Sequence, residues 1–246
     1  MRNHISYRSG NPALRTSTFK DNVRGETEAM TLEGTVNKVS LSLLVLMGAA
    51  MYTWYNPNPT LMIFGGIGGF IVALITIFKK HLATYTTLIY AALEGLLLGG
   101  ISRIYNEQFD GIVGPAIFLT FSIFIALLIA YKFKLINPSE NFKLGIFAAT
   151  AGIGILYLIN FIMSFFTDGL SIMHATNPSW ASIGFSVFVV IIASLNLILD
   201  FDFIEQGADI GAPKYMEWYG AFGLLITLVW LYLEILRLLA KLQSRD

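Results

Sequence analysis

From residue 37 onward the chain is written in long apolar blocks separated by short polar breaks, with little mixing of the two. The blocks fall at 37–55, 61–78, 84–102, 112–131, 144–166, 180–199 and 218–239. Each is near the ~20 residues that a helix needs to cross about 30 Å of hydrocarbon. Lipid cannot satisfy backbone N–H and C=O groups, so a spanning segment must be a helix or a strand of a closed barrel. The blocks lack the in–out alternation of barrel strands. The pattern predicts an all-α fold: a polytopic membrane bundle of about seven transmembrane helices.

The breaks have chemistry of their own. Asn56-Pro57-Asn58-Pro59, Asn137-Pro138-Ser139 and Asn177-Pro178-Ser179 join proline's fixed φ to side chains that bond local backbone, a combination that ends one helix and starts the next. Such short loops make sequential helices antiparallel. The chain thus divides into a polar N-terminal tail at 1–36, a seven-helix domain at 37–240 and a short C-terminal tail at 241–246. The tail carries Arg2, Arg8, Arg15, Lys20 and Arg24 and no apolar run of signal-peptide type, so it is expected to stay uncleaved.

Composition agrees with this reading. The 246 residues are 55% hydrophobic and 13% charged, with a mean hydropathy of +0.66, whereas soluble domains carry about 25% charged residues. Sixteen basic residues balance sixteen acidic ones, so nothing points to nucleic acid as a partner. The absence of cysteine removes disulfides, thiol catalysis and Cys–zinc sites. With the N-terminus inside, Arg24, Lys38, Lys79, Lys80, Lys132, Lys134, Lys143 and Lys214 lie on the inner side, and Arg103, Arg237, Lys241 and Arg245 on the outer. Eight against four favours that orientation by the positive-inside rule. A seventh span then leaves a basic C-terminus outside, against the same rule, unless the last block re-enters without crossing.

Gly65 and Gly69, like Gly95 and Gly99, are four apart on one helical face and are read as close helix packing, with no site drawn from them. Ionisable residues within spans cost several kcal/mol and are functional candidates by default. Glu94 lies mid-span between leucine and glycine. It is either part of a polar pathway or a structural carboxyl bonded to a neighbouring helix. Asp200 and Asp202 close the sixth block between phenylalanines. They fit a hard cation such as Ca²⁺ or a proton-sensitive latch, or they simply face inner-side water. Residues two apart on a helix point about 200° from each other, so a shared ion requires the helix to end there. Ile204 and the lack of a following glycine exclude an EF-hand. Glu205, Asp209 and Glu217 against Lys214 make the inner mouth acidic. Glu234 and Arg237, three apart, are placed to pair on one face. Lys79 and Lys80 are interface anchors or counter-ions for Asp200.

Enzyme chemistry has little to work with. His4, His81 and His174 form no metal-binding pair, and no Gly-x-Ser-x-Gly elbow or Walker loop occurs. The last block has no mid-span lysine for a retinal Schiff base. No cofactor is expected beyond Ca²⁺ as a transported ion.

Five stretches carry a resemblance over most of the chain: Ser9-Gly-Asn-Pro-Ala-Leu14, Ala91-Ala-Leu-Glu-Gly-Leu-Leu-Leu-Gly99, Leu199-Asp-Phe-Asp-Phe-Ile-Glu205, Gly211-Ala-Pro-Lys-Tyr-Met-Glu-Trp-Tyr-Gly220 and Leu231-Tyr-Leu-Glu-Ile-Leu-Arg237. With them the chain resembles the Bax inhibitor-1 family, the transmembrane Bax inhibitor motif proteins, in its bacterial branch. The resemblance implies two three-helix layers around a central, hydrophobic last helix, and a pH-sensitive calcium leak gated by two aspartates. The first matches Asp200 or Asp202. The second belongs to a Leu-Tyr-Leu-Asp motif, where this sequence departs: matching by letters selects Glu234, and ungapped anchoring on the terminal Leu-Arg-Leu-Leu pattern selects Thr227. If the paired latch is absent, the other of Asp200 and Asp202, or Glu217 or Glu94, has to supply the second carboxylate. The family's basic latch partner matches Lys79 or Lys80.

Two functions are therefore carried forward. One is a proton-responsive cation leak in a bacterial inner membrane, N-terminus cytoplasmic, in which protonating Asp200 releases the gate. The other is a non-conducting regulator that binds membrane proteases or stress-response proteins.

Overall fold

The computed structural model describes residues 29–245. The Ser9–Leu14 stretch and most of the polar tail lie outside the described residues. Among the described residues, seven helices are long and apolar enough to cross a membrane: α1 (Leu32–Tyr55), α2 (Pro59–Phe78), α3 (Ala83–Gln108), α4 (Val113–Lys132), α5 (Glu140–Met163), α6 (Trp180–Asp209) and α7 (Met216–Gln243). Among the described residues the one β feature is an isolated antiparallel bridge between Ala29 and Pro213.

Local chemistry sets the helix ends. Thr31 caps α1 by accepting the Gly34 N–H at 2.9 Å, which starts the helix at Leu32, five residues before the apolar block. The Asn-Pro-Asn-Pro break acts as its composition predicts. The Asn56 N–H closes the last turn of α1 on the Tyr52 carbonyl, Asn58 caps α2 by accepting from Thr60 and Leu61, and Pro59 takes the first helical position. Ser139 caps α5. Gly211 turns the chain between α6 and α7 with φ +66°, a conformation that costs glycine little.

α7 is one continuous helix of 28 residues, ~42 Å at 1.5 Å per residue. It is long and apolar enough to cross a membrane as a single helix. α6 and α7 are also the most enclosed spans, with 56% and 61% of their most apolar windows buried.

The chain forms two compact units. Among the described residues, the first comprises 29–104 and 200–226, and the second 105–199 and 227–245. α6 and α7 each give one end to either unit.

In the first unit, α3 is packed tightly against both α1 and α2, and glycines set the spacing. A Cβ on Gly65 would meet the Leu93 carbonyl of α3. A Cβ on Gly95 or Gly99 would overlap the Leu46 or Ala50 carbonyl of α1. Backbone against backbone at this range admits only glycine. Tyr90 meets Phe222 edge-on at 5.1 Å, and the Thr87 hydroxyl donates to the Trp218 carbonyl, which fastens α3 to the first turns of α7. In the second unit, Ile146 and Ile153 of α5 pack with Val189, Ile192 and Leu199 of α6, and Trp230 of α7 lies against this cluster.

Candidate functional site

The candidate carboxylates occupy different settings. Asp200 is wholly buried, at 0% exposure, well inside α6. That helix runs on to Asp209, so Asp200 and Asp202 keep the ~200° separation of residues two apart. Accordingly Asp202 is half-buried and accepts from Gln206 Nε2 at 2.6 Å, one turn on. The helix end that a shared ion would require is not there. Among the described residues, no group of three His, Asp or Glu side chains stands within reach of one ion.

Glu217, in the first turn of α7, is held from several sides. It is fully buried. Its Oε1 accepts the Thr31 N–H at 3.0 Å and the Thr31 hydroxyl at 2.8 Å. Lys214 Nζ lies 3.3 Å from Oε1 and Lys38 Nζ 3.2 Å from Oε2. Lys38 also sits over the Trp218 ring, 5.7 Å from its centroid. Two lysines thus face this acid, Lys38 in addition to the Lys214 that the sequence set against it. Lys38 and Thr31 escaped the sequence reading because they are remote in the chain, Thr31 by 186 positions. The one local signal was Lys214, three residues before Glu217. The short strap that enters α1 completes the arrangement: Met30 N–H donates to the Ala212 carbonyl at 2.7 Å, next to the Ala29–Pro213 bridge.

Glu234, in the second unit, is 2% exposed. Arg237 Nη1 donates to its Oε1 at 2.7 Å and to its Oε2 at 2.9 Å, and Arg237 also donates to the Tyr157 hydroxyl at 3.1 Å. The Tyr157 hydroxyl in turn donates to Glu234. The pairing of Glu234 with Arg237 is as their spacing predicted; Tyr157, from α5, was not visible in the sequence. Thr227, the other match for the second latch position, is buried within α7. One turn beyond Arg237, Lys241 is a fully buried lysine. Its ammonium donates to the Ile172 carbonyl at 2.7 Å, the Ser182 carbonyl at 3.1 Å and the Ser186 hydroxyl at 2.9 Å. Three acceptors match its three N–H donors.

Glu94 is half-buried in the middle of α3. Its Oε2 lies 3.1 Å from where a Cβ on Gly69 would stand, so that glycine is the floor against which the carboxyl rests. Lys79 is exposed just past α2, and Lys80 opens a short 3₁₀ turn that leads into α3.

Residues 11–244 match the sequence profile of the Bax inhibitor 1 like family. The chain belongs to that family. The match covers all seven helices and every acid described above, which places the Bax inhibitor 1 like protein firmly among multi-pass membrane proteins. No individually curated protein matches the chain. In this Bax inhibitor 1 like protein the two acids chosen by lettering, Asp200 and Glu234, fall in different compact units, and Glu234 already has an arginine and a tyrosine as partners.

Proposed function

We propose that this protein is a proton-responsive cation leak, with Ca²⁺ as the transported ion, in which Asp200 is the gate. The observation that carries the reading is the complete burial of Asp200 inside a membrane helix, where a carboxylate is costly and is retained for a use. Family membership and the gating known for its relatives support it. The sign follows from charge. Anionic Asp200 holds its cationic partners and keeps the gate closed at higher pH. Protonation on acidification removes that attraction and opens it. Lys79 and Lys80 are the candidate partners, Asp202 an auxiliary sensor, and Thr227 marks the departure from the family's paired-aspartate latch. The protein works in a bacterial inner membrane with its N-terminus in the cytoplasm, and it is not an enzyme.

Flux into liposomes that enclose a calcium dye, with the outside stepped from about pH 8 to about pH 6, tests this. Influx should rise on acidification and lose its pH response in Asp200→Asn. An unchanged pH profile in that variant sinks the gate. No flux above empty liposomes from folded protein sinks the leak.

A second reading, a non-conducting regulator of membrane proteases or stress-response proteins, is favoured by the clasp at Thr31. The segment entering α1 is fixed to the start of α7, so a partner that pulls on the N-terminal tail would act directly on that helix. Removing residues 1–30 should then abolish partner binding and spare any ion flux. Retained binding by the truncated protein counts against the regulator.

A further inference from the structure

We propose that the starts of α1 and α7 form a binding site for the headgroup of an anionic phospholipid, in which Lys38 and Lys214 receive the phosphate and α1 flanks the acyl chain. The inference stands apart from the cation-leak reading, since it needs neither an ion path nor Asp200.

Charge at this place does not balance. Two ammonium groups, those of Lys38 and Lys214, share the single carboxylate of Glu217 at 3.2 and 3.3 Å, which leaves the cluster one positive charge in excess. The positive ends of two helix dipoles add to it, because α1 and α7 both begin here. Glu33, the acid in the first turn of α1, lies about 140° from Lys38 around the helix and does not offset the excess. Glu217 is wholly buried, whereas the two lysine side chains are 26% and 42% exposed, so the surplus charge faces outward.

Lys241 shows what a lysine saturated by the protein looks like: its three N–H donors meet three acceptors. Among the described residues, the Lys38 ammonium meets one carboxylate oxygen and the face of the Trp218 ring, although it too has three donors. A buried acid already fixes its position, so little side-chain freedom is left to lose when a ligand binds.

The setting suits a lipid. Lys38 stands at the start of the apolar block of α1, against the half-buried Trp218, a residue type that settles at the headgroup boundary. From Lys38, Leu41, Val45 and Gly48 continue along one stripe of the helix at spacings of three and four. Leu41 is 45% exposed and a Cβ on Gly48 would meet nothing, so the stripe is open to an acyl chain. Basic pockets between membrane helices suit the phosphates of anionic lipids. A zwitterionic lipid would bring its own cation to a site that is already positive.

Native mass spectrometry of the full-length protein, released from detergent micelles carrying phosphatidylglycerol or phosphatidylcholine with identical chains, provides the test. Phosphatidylglycerol should be retained about tenfold more tightly. Lys38→Gln and Lys214→Gln should each lower that affinity about fivefold, the worth of one basic residue beside a lipid surface, and leave phosphatidylcholine unchanged. Lys38→Arg should keep the wild-type affinity, as should Lys132→Gln at an exposed lysine outside the cluster. Should Lys38→Gln fail to fold, as its melting temperature without lipid would show, Lys214→Gln at the more exposed side chain decides. Phosphatidylglycerol should raise the melting temperature of the wild-type protein and inorganic phosphate should not. Equal retention of the two lipids, wild-type affinity in the folded glutamine variants of the cluster, an equal loss in Lys132→Gln, or stabilisation by inorganic phosphate as large as by the lipid each overturns the assignment.

Discussion

The Glu217 carboxylate of α7 accepts both the N–H and the hydroxyl of Thr31, the residue that caps α1. One threonine thus performs two tasks. It starts the first membrane helix and ties it to the last.

That clasp sets an order of mutational effects. Lys214 is 42% exposed at its side chain, so Lys214→Ala should cost under about 1 kcal/mol. Glu217→Ala removes the acceptor shared by Thr31 and both lysines and should cost about 2–4 kcal/mol. Thermal melts in detergent would rank the two. Hydrogen exchange over residues 29–40 should quicken in Glu217→Ala and stay near wild type in Lys214→Ala.

A Cβ on Gly34 would fall on the Glu217 carboxyl group itself. Gly34→Ala should therefore eject the carboxylate and reproduce the exchange pattern of Glu217→Ala, even though alanine is the better helix former by about 1 kcal/mol. Faster exchange at Thr31 in Gly34→Ala is the expected result, and a stabilised protein the opposing one.

Glycines elsewhere in the membrane helices should respond differently. At Gly99 a methyl would overlap the Ala50 carbonyl and the Thr53 hydroxyl, whereas at Gly48 and Gly152 it meets nothing. Gly99→Ala should destabilise by about 1–3 kcal/mol, as overpacking does, and Gly48→Ala and Gly152→Ala should be neutral or mildly stabilising. Comparing melting temperatures of the three variants decides it.

Arg237→Met leaves the buried Glu234 charge without its guanidinium and should cost about 3–5 kcal/mol. Adding Glu234→Gln should recover a large part of that loss, so the double variant should be more stable than Arg237→Met alone. Strict additivity of the two changes, measured by denaturant unfolding, would mean that the pair is not energetically coupled.

Lys241→Met keeps the aliphatic stem and deletes the ammonium that joins Ile172, Ser182 and Ser186. Hydrogen bonds from a charged group are worth about 1.5–3 kcal/mol each, and two main-chain carbonyls would lose their donor. The variant should become sensitive to proteolysis between residues 164 and 180, while cleavage elsewhere stays unchanged.

The hydrophobic pattern was sufficient for the number and type of elements. Crossing hydrocarbon demands about 20 apolar residues with every backbone bond made inside the segment, a local requirement that is written locally. The Asn-Pro breaks were legible for the same reason, since caps and fixed φ act over four residues. So was the Glu234–Arg237 pair, three apart on one helix.

What the sequence could not provide was which remote residue faces which acid. Thr31 and Lys38 reach Glu217, and Tyr157 reaches Glu234, because helices far apart in the chain pack side by side; spacing along the chain carries no record of that. The glycine pairs show the same division. Their period placed them on one face, but only the packed helices made Gly99 a backbone contact and Gly69 the seat of a carboxyl. The sequence by itself determined a seven-helix membrane protein and its candidate acids, because hydropathy and capping are short-range. Tertiary structure decided their separate settings: Glu217 clasped, Glu234 paired, Asp200 buried and Glu94 set against Gly69. Burial and pairing are properties of neighbours, and neighbours are chosen by the fold.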